Sequence, residues 1–259
     1  MAKKSTAVAK GNGDQLPADL FAEMEADAGD GLQNVTSDDM AVPFLRVLQK
    51  MSPQCSKRDG GYVAGAEEGM IFNTVTGELW DAETGVTAIP CAWAFKTVEW
   101  KPRDSGGGFV HSYGRNDVLP DSTENDKGQE VTADGNLLVP TYEFYVLLED
   151  ENGVGGQAVM TLSSTQLKYA RRWISLMKNQ MMQTKEGPKT LPIYGQKYLL
   201  KTLGESNEHG DWSSWDIALK ERVIDTPTYH AGKAFSLAID EGKKEVKYVV
   251  EDEAIAEVM

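Results

Sequence analysis

The chain has 259 residues, 41% of them hydrophobic, enough to bury a sizeable core in one large domain with appendages. No apolar run approaches the ~18 residues of a spanning helix, and the lysines near the start precede no apolar stretch, so the sequence predicts neither a membrane segment nor a secretory signal. The formal net charge is -14 but uneven: residues 163–204 carry eight bases and one acid, Glu186, while 117–135 carry six acids and one base.

Residues 1–40, rich in Gly, Ala, Asp and Glu with a single aromatic, Phe21, predict a disordered acidic segment. Within it PADLFAEMEAD (17–27) suits a short helix with Pro17 at its start. Order is expected from residue 41, with Val42, Phe44, Leu45, Val47 and Leu48 clustering and Pro53 ending the run. MIFNTVTGELW (70–80) reads as two short strands around Thr76-Gly77. Residues 86–101 read as one long strand in which Cys91, Trp93 and Phe95 alternate with Ala92, Ala94 and Lys96. Pro90 marks an edge or a bulge.

A loop insert is expected over 104–135, with a short strand at 109–113. TYEFYVLLED (141–150) and VGGQAVMTL (154–162) form the clearest hairpin, turning at Asn152-Gly153. SSTQLKYARRWISLMKNQMM (163–182) predicts a helix with a Ser163/Gln166 capping box. Its apolar face holds Leu167, Ala170, Ile174, Met177 and Met181, and Gly187-Pro188 ends the segment. Strands follow at 196–203 and 212–220, a short helix at 228–239, and a flexible acidic tail at 241–259.

The predicted class is α+β, mainly β: an OB-fold-like five-stranded barrel with a helix between strands three and four, extra N-terminal strands and a C-terminal helix, all in one domain over 41–240. Two distant cysteines, Cys55 and Cys91, without CxxC spacing fit reduced thiols and a cytoplasmic location.

No HExxH, GxSxG, P-loop or dinucleotide fingerprint occurs, and none of the three histidines stands at ligand spacing from a cysteine. Gly106-Gly107-Gly108 lacks the Lys-Ser/Thr of a phosphate loop. Asp121, Glu124, Asp126 and Glu130 cluster without apolar neighbours to hold them around a metal, and suit a solvated loop. The expectation is therefore a binding protein with no cofactor and no metal, not an enzyme.

Single-strand binding combines cations for phosphates with rings for bases. WAFKTVEWKPRDSGGGF (93–109) interleaves Trp93, Phe95 and Trp100 with Lys96, Lys101 and Arg103. Tyr145 on the next strand, Lys197, Tyr198 and Lys201 on a later one, and Lys168, Arg171, Arg172 and Lys178 on the helix extend the mixture. Trp93 and Phe95, in step with Cys91, suit a buried face equally well, whereas Trp100, between Glu99 and Lys101 at a strand end, is the better candidate for exposure.

The strings VPFLRVLQKMSPQ, GMIFNTVTGELW, VEWKPRDSGGGF, SSTQLKYARRW and YHAGKAF resemble a group of tailed-bacteriophage proteins carried as single-stranded DNA-binding proteins. The resemblance spans about 42–240 and implies an OB-like core, an acidic C-terminal tail and work in replication or recombination. The partners it implies are single-stranded DNA, replication or recombination proteins reached through the tail, and further copies of the chain; no membrane is implied. The chain departs from many single-strand binders in ending on Met259 rather than an aromatic residue. Two rival functions stay open: a virion structural or assembly protein, and a metal-dependent DNA-processing enzyme.

Overall fold

The computed structural model describes residues 17–27, 42–150, 153–208 and 210–241. The chain divides into two units, Met1–Ala41 and Val42–Met259. In the first, α1 (Ala18–Ala26) forms where the sequence predicts it. The rest of the expected disordered segment, Asn152 at the hairpin turn, His209 and the acidic tail from 242 lie outside the described residues.

The second unit begins with a small antiparallel sheet of β1 (Leu45–Val47), β2 (Ile71–Asn73) and β3 (Leu79–Trp80). The β2–β3 turn is the expected one: Asn73 Oδ1 accepts from the backbone N–H groups of Val75 and Thr76, both at 3.0 Å, and Gly77 takes φ 71°. Then follow β4 (Val86–Lys101), β5 (Gly108–Gly114), β6 (Ser122–Glu124), β7 (Glu130–Thr132), β8 (Leu137–Asp150) and β9 (Gly153–Ser163). After α2 (Leu167–Lys178) come the hairpin β10 (Met181–Thr184) and β11 (Gly187–Thr190), the long hairpin β12 (Gln196–Asn207) and β13 (Gly210–Arg222), and α3 (Thr226–Asp240).

The five long strands pair antiparallel in the order β13-β12-β4-β8-β9, with α2 between the third and fourth of them in the chain. This mainly β sheet is curled. Its edge strands β9 and β13 are bridged by the entering chain: Val159 N–H donates to Pro43 O at 2.8 Å, and the Gln49 side-chain amide exchanges two hydrogen bonds of 2.9 Å with the Ser213 backbone. Gln49 thus occupies the place of a strand's peptide group on the β13 edge. Gly85, where the chain enters β4, has φ 64°, and a Cβ there would stand 2.0 Å from the Leu200 carbonyl oxygen, so only glycine fits.

The core has two sides. The inner face gathers Val86, Ala88, Phe144, Val146, Met160, Leu162, Tyr198, Leu200, Trp215 and Ile217 under α2, whose Ala170, Trp173 and Met177 are buried. The outer face gathers Ile89, Cys91, Ala92, Tyr145, Leu147 and Val159 under Phe235 of α3. α3 starts at Asp225, whose side chain accepts from Thr228 N–H at 2.8 Å and is thereby held below its ordinary carboxyl range.

Several expectations need correction. The insert over 104–135 holds more than a loop with one short strand: the expected strand is β5, beside the far half of β4, but β6 and β7 form a further hairpin beside β8. The helix stops at Lys178, four residues short of the predicted end, and Met181 and Gly187-Pro188 belong to the following hairpin. Trp173, not Ile174, is the buried centre of its face, and Ser163 makes no side-chain cap bond. Finally, the strict alternation of Cys91, Trp93 and Phe95 fails because β4 bulges against β8 between Pro90 and Ala92. The extra residue shifts the side-chain phase, so neighbours Cys91 and Ala92 both join the outer cluster while Phe95 packs on the inner one.

Candidate nucleic-acid interface

The bulge decides which rings reach solvent. Beyond it, Trp93 and Phe95 point to the inner face, past the end of the packed core. Trp173 of α2 stacks on Phe144 at 4.5 Å, Phe144 stacks on Tyr142 at 6.3 Å, and Tyr142 meets Trp93 at 6.0 Å and Phe95 at 5.0 Å. The row begins buried and ends open: Trp173 is 0% exposed, Tyr142 8% and Trp93 39%. The Arg115 guanidinium lies 4.5 Å from the centre of the Phe95 ring.

α2, whose Trp173 begins this row, carries cations on its exposed side. Its four charged residues, Lys168, Arg171, Arg172 and Lys178, are all basic and all exposed. Lys168 is tied to Glu205 of β12. Burial raises the Glu205 carboxyl, but hydrogen bonds from Lys168, Ser214 and Tyr169 outweigh it and bring the pKa down to about 2. Among the described residues no carboxylate pairs with Arg171, Arg172 or Lys178. Lys185 and Lys189 on the β10–β11 hairpin extend the basic segment, Lys189 pairing with Glu186 at 2.5 Å.

Other predicted residues stand elsewhere. Trp100 is 3% exposed, packed with Val98 and Leu137 and edge-on at 6.0 Å to Phe109, its partner on β5 after a second bulge between Glu99 and Trp100. Tyr145 is buried against α3, its hydroxyl donating to Glu143 at 3.0 Å. Tyr198 is fully buried in the inner core, and burial pushes its pKa up to about 12. These three rings have no face to offer a base.

Two strand cations are neutralised. Lys96 pairs at 3.0 Å with Glu143, a fully buried carboxylate on β8. Lys197 is buried and pairs with Glu149 and, at 3.6 Å, with Glu221; the Glu149 contact chiefly raises its pKa. Lys101 is exposed, Lys201 half-buried, and Arg103 lies in the turn Arg103–Ser105 after β4. The structure therefore puts Trp93 and Phe95 on the inner face, at the end of the ring row that Trp173 of α2 begins; Tyr198 meets Trp173 edge-on at 5.6 Å but is fully buried, Trp100 and Tyr145 belong to other clusters, and Lys197 is paired.

Sequence reading missed Arg115 and Glu205. Neither carries a local signal: Arg115 follows a glycine in a polar insert, and Glu205 is one acid at a strand end. Their roles come from partners 20 and 37 residues away in Phe95 and Lys168. Among the described residues no three His, Cys, Asp or Glu side chains converge to hold a metal ion, and no helix is long and apolar enough to cross a membrane. Both cysteines are free thiols.

Neither a curated protein nor a solved structure matches the chain. A family model does, over residues 9–245, well over half of the sequence. By that match the chain belongs to a family of phage proteins, described as Pam3 phage gp34-like protein.

Proposed function

We propose that the protein binds single-stranded DNA during phage replication or recombination, without turnover and with little sequence preference. The observation that carries this reading is the placement of α2. Its outward charge is purely cationic, and its buried Trp173 starts a row of rings that ends at the exposed Trp93 on the same sheet face. Arg171, Arg172 and Lys178 would neutralise phosphates while the open rings take bases.

The strand order β13-β12-β4-β8-β9, with α2 before β12, is that of an OB barrel, and we read the unit as an opened OB-type barrel. Such barrels commonly hold oligonucleotides on the outer face of their second and third strands. Here those strands are β8 and β9, and α3 covers Tyr145, Leu147 and Val159 on that face. The inner rim is the part left open, which favours the ring row as the binding surface. Membership of a phage family fits the setting.

Titration with oligo-dT tests the reading. Tryptophan emission should be quenched, and affinity should fall with salt at a slope of about −0.7 per neutralised phosphate. Unchanged emission with no mobility shift at low salt removes it. Co-purification with particles without DNA binding would then favour the assembly role, and Mg²⁺-dependent degradation of DNA the enzymatic one.

A further inference from the structure

We infer that Trp93, Phe95, Tyr142 and Arg115 form a subsite for one nucleobase together with the phosphate beside it. The inference rests on the single-stranded DNA reading and gives that site a defined occupant.

Side chains two apart on a strand stand about 6.6–6.8 Å from each other. Trp93 and Phe95 are such a pair, on the inner face beyond the bulge before Ala92; Arg115 and Tyr142 lie against the Phe95 ring, so the 39%-exposed ring of Trp93 is the face left to stack on a base. Tyr142, opposite Phe95 in the β4–β8 register, touches both rings and closes the site from behind. Being 8% exposed, it serves as a back wall rather than a stacking partner.

Arg115 sets the charge of the ligand. It follows the last residue of β5, in a turn closed by Gly114 N–H donating to Asp117 Oδ2 at 2.7 Å. Its guanidinium plane rests on Phe95, which fixes the fork without using its N–H donors. Lys96, Lys168 and Lys197 are each spent on a carboxylate; among the described residues none pairs with Arg115. A ring-mounted, unneutralised fork suits a phosphate, which it can bind through two parallel hydrogen bonds. The same charge repels cationic ligands that would otherwise suit an aromatic cage, such as a methylated lysine. A flat base carrying an anionic phosphate satisfies both halves of the site.

The test uses the full chain and oligo-dT. Trp93→Ala should weaken binding roughly 5- to 150-fold, the range for one lost stacking contact, and Trp93→Phe should restore most of it. Arg115→Ala should flatten the salt dependence by about 0.7 in slope, and Arg115→Lys should keep the slope while losing affinity, since it keeps charge but not the plane. The Arg115 variants, at an exposed position, should keep the wild-type thermal midpoint, and binding by the Trp93 variants is compared per folded molecule, since Trp93 is only 39% exposed. If the wild type binds and Trp93→Ala and Arg115→Ala bind equally well, or if Trp93→Phe is as weak as Trp93→Ala, the subsite is overturned while the single-strand reading stands. If the wild type does not bind, both fall together.

Discussion

The cations of the strands and those of α2 look alike in the sequence and behave oppositely in the fold. Lys96 and Lys197 each stand one residue from an aromatic side chain, as Arg172 does from Trp173. On the strands, the sheet brings a carboxylate into reach: Glu143 from the adjacent β8 for Lys96, and for Lys197 Glu149 from β8, across β4, with Glu221 from the adjacent β13. On α2 the cations are exposed, and among the described residues only Lys168, reaching across to β12, finds an acid. A base beside a ring on a strand is thus a structural ion pair here, whereas the same pair on the helix leaves the base in solvent with its field intact.

Breaking the strand class should show most in stability. Lys96→Met takes one of its partners from the fully buried Glu143, which keeps the Tyr145 hydroxyl, and should cost about 2 kcal/mol in chemical denaturation, while DNA affinity per folded molecule stays unchanged. Loss of affinity with unchanged stability would return Lys96 to the binding class. The helix class should respond the other way. The double change Arg171→Glu with Arg172→Glu should leave the unfolding free energy within about 0.5 kcal/mol and weaken oligo-dT binding at low salt by about tenfold or more. An undiminished affinity would remove α2 from the interface.

Lys168 sharpens the boundary, because it belongs to both classes. The Glu205 carboxyl is depressed to about 2 in the fold, so it contributes stability that is full above its ordinary pKa near 4.5 and is lost as pH falls toward 2. Glu205→Gln should flatten the stability profile between those limits. At neutral pH it should also release Lys168 and steepen the salt dependence of DNA binding by about 0.7, the smallest of these effects. A profile that keeps its acid limb would mean that other carboxylates set it.

Much of the architecture was legible because it rests on local pattern. The β8–β9 hairpin, the Thr76-Gly77 turn, the amphipathic stretch of α2 and the start of α3 follow from alternation, turn chemistry and periodicity within a few residues. The failures share a different cause. Strands β6 and β7 hold three residues each and owe their pairing to one another and to β8, so no periodic signal could announce them. Trp100, expected to be exposed from its charged neighbours Glu99 and Lys101, is buried because β5 and β8 flank it and bring Phe109 and Leu137 against the ring. Glu99 itself stays inside by accepting from Tyr113 at 2.8 Å and Asn136 at 2.7 Å, partners 14 and 37 residues away.

By itself the sequence determined the order of long strands and helix, the concentration of bases in 163–204 and the presence of rings near them, because composition and short-range periodicity are properties of the chain alone. The tertiary structure decided which rings open and which cations stay unpaired. One inserted residue at the β4 bulge reverses the face of everything after it, and a carboxylate from a neighbouring strand cancels a charge that the chain, read in line, leaves free. Both depend on pairing between distant segments, and that pairing exists only once the sheet has formed.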